Sequence, residues 1–185
     1  MSSLQSVGSA GSPLSPEVFR WFYTVFPKGV SIGSGSGGTD LVGSSELYLG
    51  RMDNECLLTR HTVVGPSPMD PCHAGEIAGP NLGMKVEIWN AEGRNVEASG
   101  EEGDLVITRP FLSMPLTFLG EKGHDKYRLA YFDKFPGIWH HGDFIRRSPQ
   151  TGGYEILGRS DGILNPAGTP VPGFVPLWRM DADTI

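Results

Sequence analysis

The 185 residues contain only two cysteines, Cys56 and Cys72. Two thiols make neither a tetrahedral zinc site nor a disulfide framework, so ordinary reduced thiols are expected. Apolar residues are also scarce, at 38%. No apolar run approaches the roughly 20 residues that cross a bilayer as a helix. Runs of Lys or Arg are missing too. The net charge is −6 and the isoelectric point near 5.3, which argues against nucleic acid or an anionic membrane as partner. The opening stretch MSSLQSVGSAGSPLSP lacks the apolar centre of a signal peptide. A soluble, cytoplasmic protein is therefore expected.

Glycine and proline, by contrast, are plentiful at 26 and 15. That composition suits short strands joined by turns. One helix stands out. Ser15 is a good N-cap, Pro16 fits the first helical position and Glu17 sits where the helix dipole favours an acid. Val18, Phe19, Phe22, Val25 and Phe26 recur at helical spacing, and Pro27 stops the run. Residues 4–15 read as a strand end followed by a Gly/Ser/Pro turn, and Val30–Ile32 as a short strand. From Lys85 the pattern is β: KVEIW alternates, DLVIT follows, and Tyr154–Leu157 is expected to pair with Phe144–Arg146. Residues 43–75 show no sustained period and read as loop or insertion. The aromatic stretch YRLAYFDKFPGIW (127–139) reads as core and turn, with a base-stacking platform as the alternative. TPVPGFVPLWRMDADTI has three prolines in eight residues and reads as an irregular tail.

Three stretches could carry chemistry. SGSGGTD (34–40) is either a flexible linker or a loop whose bare N–H groups close on an anion. In the second reading Gly37 and Gly38 let the backbone approach, Thr39 donates to a phosphate oxygen and Asp40 holds Mg²⁺. In HHGDF (140–144) the adjacent histidines face opposite ways on a strand and suit one metal poorly. Asp143 could accept two hydroxyl hydrogen bonds, as from a ribose, or simply sit in a turn. In GRSDGILNPAG (158–168), Arg159 could bind phosphate or ribose with charge-assisted bonds, or pair with Asp161 at the surface.

The order GSAGSPLSP, SGSGGTD, GEEGDLVITRPFLSMPLTF, YFDKFPGIWHHGDF, GRSDGILNPAG resembles the adenylate-forming ligases. Within them, TRPFLSMP and YRLAYFDKFPGIWHHGDF are similar to the acetoacetyl-CoA synthetase family. The resemblance covers residues 4–42 and 75–168. It implies an α/β fold: the late part of a large N-terminal domain, with a sheet-layer fragment (1–42) and a small β-barrel subdomain (75–168). Between and after these lie an insertion (43–74) and an atypical tail (169–185).

The implied activity is ATP-dependent, AMP-forming ligation of acetoacetate to CoA, with ATP, Mg²⁺ and CoA as cofactors and substrates. By motif position, Gly11, Ser12 and Pro13 border the adenine. Ser34, Gly35, Ser36, Gly37, Gly38 and Thr39 wrap the nucleotide, and Asp40 takes the Mg²⁺ position. Asp143 holds the ribose hydroxyls, Arg159 reaches ribose or phosphate, and Asp161 is the hinge for a C-terminal domain. Two family elements have no counterpart here: the upstream phosphate loop and the C-terminal domain with its adenylation lysine. Pro170 stands where the family has Arg. Little turnover is therefore expected of this chain alone, along with exposed apolar faces. The alternatives are a ligase for another short acid, such as acetate or propionate, and a non-catalytic nucleotide-binding remnant.

Overall fold

The N-terminal signals act as the sequence suggests. In the computed structural model, helix α1 runs Pro16–Val25, and the Ser15 hydroxyl accepts from the Val18 amide at 3.4 Å. Its apolar face buries Phe19 and Phe22, while Trp21 and Tyr23 stay exposed. The helix joins strands β1 (Ser6–Ser9) and β2 (Ser31–Ser34), which pair in parallel, as a β-α-β crossover does. The structure describes residues 4–38, 40–41, 62–65, 71–160, 163–164 and 171–172.

The chain then changes to antiparallel pairing. Strand β3 (Ser36–Gly37) pairs with β4 (Thr62–Gly65), and β4 with β5 (Gly79–Pro80). Strand β4 corrects the reading of 43–75 as loop throughout. TVVG is too short to show a period, yet Val63 and Val64 are fully buried. The main body is a four-stranded antiparallel sheet in the order β6 (Val86–Trp89), β7 (Gly103–Ile107), β8 (Trp139–Arg147), β9 (Tyr154–Arg159). This sheet is the layer expected to be barrel-like. Val86 and Ile88 alternate into the core beside Leu105, Ile107, Ile145 and Trp139. The expected pairing of the last two strands is present, with Arg146 opposite Glu155 and Ile145 opposite Ile156.

Helix α2 (Gly123–Phe132) packs over this sheet, where core and turn were expected. Tyr127 and Tyr131 are four residues apart, and both rings lie against Trp139. That helical spacing was present in YRLAYF, but the aromatic content masked it. Strands β10 (Ile163–Leu164), before the tail, and β11 (Val171–Pro172), within it, form a two-residue ladder. Leu112, Leu116 and Leu119, in the irregular segment between β7 and α2, are almost fully exposed. Among the described residues no helix is long and apolar enough to cross a membrane.

Candidate functional site

Loops from the carboxyl ends of parallel strands are where α/β sheets gather ligand-binding groups. Here β1 and β2 run in register to Ser9 and Ser34, and the Gly35 amide donates to the Ser9 carbonyl at 3.2 Å. Both glycine-rich segments therefore leave the same end of the pair. Gly11, Ser12 and Pro13 follow β1 and are exposed. Ser34 is buried at the end of β2, and Gly35, Ser36, Gly37 and Gly38 continue from it. The Leu41 amide donates to the Gly38 carbonyl at 3.2 Å, turning the chain at Asp40. Thr39 and Asp161 lie outside the described residues.

The second half of the site comes from two irregularities in the large sheet. Against β7, Asp104 faces Phe144 while Val106 faces His140, so residues 141–143 of β8 oppose Leu105 alone. Gly142, at φ +86°, takes the left-handed conformation this needs. On the other edge Phe144 faces Gly158 but Ile145 faces Ile156, leaving Leu157 extra, and Gly158 sits at φ +143°. Such bulges re-aim side chains. The HHGD and LGR glycines thus bring Asp143 and Arg159 opposite one another.

The two loops and the two bulges meet. Asp143 is buried, and its Oδ2 accepts from the Ser36 hydroxyl of the glycine loop. Its Oδ1 accepts from Arg159 Nη1 at 3.2 Å. Asp40 Oδ2 accepts from the Tyr131 hydroxyl at 2.5 Å. Tyr131 is stacked on Trp139 at a centroid distance of 3.6 Å. Burial, followed by the hydrogen bond and charge of Asp40, pushes the Tyr131 phenol well above its ordinary pKa. It therefore stays a neutral donor. The group brings together the Asp143 and Asp40 carboxylates, the Ser36 and Tyr131 hydroxyls and the Arg159 guanidinium. Such a set can accept sugar hydroxyls and counter phosphate charge.

Behind it lies a buried charge cluster. Asp104 is 2% exposed and accepts from Lys134 Nζ at 2.6 Å and from His140 Nε2 at 2.9 Å. His140 Nε2 is also 3.2 Å from Ser160 Oγ, so the cluster ties the end of β9 to the sheet. Burial alone would raise the Asp104 pKa, but donors from His140, Lys134 and Ser160 outweigh it and lower it from 3.8 to about 2. A depressed carboxylate adds stability above its unfolded pKa and loses it as pH falls through the folded one. Asp104 should thus contribute on the order of 2 kcal/mol at neutral pH, lost between about pH 4 and pH 2. Urea midpoints at pH 6 and pH 3 should converge in Asp104→Asn relative to the parent chain. An equal acid loss in both proteins would contradict this.

Ser36, Asp143 and Arg159 are the sequence-derived residues brought into direct contact, and Asp40 is tied in through Tyr131. Gly11, Ser12 and Pro13 share the strand end without a described bond to that group. The sequence reading missed Tyr131, His141, Asp104 and Lys134. For Tyr131 the only signal was the unassigned helical spacing of α2, and Lys134 lies just beyond that helix. His141 was weighed only as a metal ligand.

The chain has been compared with known proteins. No family model matches it. It is 44% identical over 171 residues to an acetoacetyl-coenzyme A synthetase of Rhizobium meliloti, covering 92% of this chain and 23% of that protein. It is 40% identical over 168 residues to a malonamoyl-CoA synthetase of Penicillium aethiopicum, covering 91% of this chain and 19% of that protein. In fold it matches an acetoacetyl-CoA synthetase from Streptomyces lividans with a TM-score of 0.67 and 35% identity, covering 89% of this chain and 23% of that one. The chain spans less than a quarter of the length of these relatives. By sequence and by fold it is similar to part of the acetoacetyl-CoA synthetases.

Proposed function

We propose that the chain forms the ribose-facing wall of an ATP-dependent, AMP-forming acetoacetate–CoA ligase of the cytoplasm. The observation that carries this is the meeting of Ser36, Asp143 and Arg159. It joins a glycine loop at a parallel-strand end to a buried carboxylate and a cation. In the first half-reaction an acetoacetate carboxylate oxygen attacks the α-phosphorus of ATP, and the bond to pyrophosphate breaks. In the second, the CoA thiol attacks the acyl carbon of the adenylate, loses its proton, and AMP leaves.

Asp143 accepts the ribose hydroxyls. Arg159 offsets phosphate charge, Thr39 donates to the α-phosphate, and Gly11, Ser12 and Pro13 border the adenine. Asp161 is the hinge. Mg²⁺ is commonly held by one or two carboxylates plus substrate phosphate. Asp40 is the carboxylate that would hold it, and the ion would neutralise charge on the phosphates. Tyr131 fixes where that carboxylate points.

Holding and neutralising phosphates lowers the adenylation barrier. These 185 residues span less than a quarter of the length of the relatives, so turnover by them alone should be low. AMP release that requires both acetoacetate and CoA is expected at least about 10²-fold below that of a full-length relative. Release near the full-length rate would overturn the wall reading. The 40% identity to a malonamoyl-CoA synthetase supports a second reading of the acyl group. Competing acetoacetate, malonamate and acetate in the same assay separates the two.

A further inference from the structure

His141 lies beneath the site, its side chain 2% exposed. Its surroundings fix its form. The Trp139 indole N–H donates to Nδ1 at 3.5 Å, so Nε2 carries the hydrogen. Burial lowers the pKa of the ring below its ordinary value and outweighs the opposing pull of Asp143; the ring is neutral at pH 7. Nε2 and the Tyr127 hydroxyl are the buried side-chain atoms left without a hydrogen-bond partner among the described residues. Asp143 Oδ2 is 3.7 Å from Nε2. The Gly37 backbone is also near enough to favour a protonated ring, but neither group completes a hydrogen bond to Nε2. The ring also supports the glycine loop: a Cβ added at Gly38 would meet His141 Cε1 at 3.1 Å. A buried N–H close to a carboxylate yet left without a hydrogen bond among the described residues calls for an explanation.

We propose that His141 is the positioning residue for Asp143 in ribonucleotide recognition. A ribose 2′,3′-diol displaces the Ser36 hydroxyl from the carboxylate, and Asp143 Oδ2 closes onto the His141 Nε2–H. That donor holds the carboxylate in the orientation that accepts both hydroxyls. His141 is too buried to touch the nucleotide and acts through Asp143 alone. This rests on the reading of Asp143 as the ribose acceptor.

The test is calorimetric titration of ATP and of 2′,3′-dideoxy-ATP into the 185-residue chain and three variants. His141→Phe keeps ring volume and removes the donor. It should weaken ATP about tenfold, the size of one charge-assisted hydrogen bond, and change dideoxy-ATP less than about twofold. His141→Gln places an amide N–H where Nε2 lies and should recover most of the loss. Asp143→Ala should erase the preference for ATP over its dideoxy analogue. If His141→Phe weakens both nucleotides alike, or neither, while Asp143→Ala erases the preference, the His141 proposal is overturned and the ribose reading stands. If the parent chain binds neither nucleotide, or both equally, both fall. Should His141→Phe not fold, His141→Asn, whose amide sits at the Nδ1 place, substitutes: it should lose the preference that His141→Gln keeps, and equal behaviour of the two overturns the proposal.

Discussion

Trp139→Ala should lower the unfolding free energy by about 3–5 kcal/mol, the range for truncating a buried aromatic. Trp139 is 2% exposed. Its ring stacks on Tyr131 and meets Phe111 and Phe132 edge-on at centroid distances of 5.3 and 6.0 Å. It is thus the surface on which α2 sits, and neighbouring backbone cannot collapse far into the space it leaves. The loss also reaches the site: Tyr131 loses its stacking partner and holds Asp40 less firmly, and His141 loses its donor to Nδ1. Urea denaturation measures the change. A loss under 1 kcal/mol would show that α2 is not anchored through this ring.

The largest effect on binding is expected at Asp143. A carboxylate accepting two hydroxyls makes two charge-assisted hydrogen bonds, each worth about 1.5–3 kcal/mol. Part of this is offset because the Ser36 hydroxyl must first be displaced. Asp143→Ala should therefore weaken ATP about 100-fold. Asp143→Asn, which keeps the shape and loses the charge, should fall between alanine and the parent. Arg159 is the control. Asp143→Ala removes the carboxylate oxygen to which Arg159 Nη1 donates, and Arg159→Met should weaken nucleotide triphosphates more than it weakens adenosine. Equal affinities of parent and Asp143→Ala would remove Asp143 from the site.

Much of this was legible in the chain before folding. Ser15-Pro16-Glu17 gave the helix its start because capping is local chemistry. KVEIW and DLVIT gave strands because alternation is local too. The α2 helix was not read, although Tyr127 and Tyr131 were four apart, because GHDKYRLAYF offers no side-chain cap and a narrow aromatic face resembles core. Strand β4 escaped because four residues carry no period, and its partner Ser36–Gly37 lies far from it in the chain. The site was half legible. Asp143 and Arg159 could be singled out as carboxylate and cation after glycine. Their meeting depends on two bulges, and a bulge is a property of register between strands. The Asp104 cluster was invisible for the same reason: Lys134 and Asp104 are 30 residues apart.

The central claim is that the glycine loop after β2 and the bulged ends of β8 and β9 form one nucleotide site. It is tested most directly by amide ¹H–¹⁵N correlation spectra of the chain with increasing AMP. Saturable shifts are expected at Ser36, Gly37, Gly38, Asp143 and Arg159 together, with one common dissociation constant. Shifts confined elsewhere, or none at these five amides up to millimolar AMP, would contradict it.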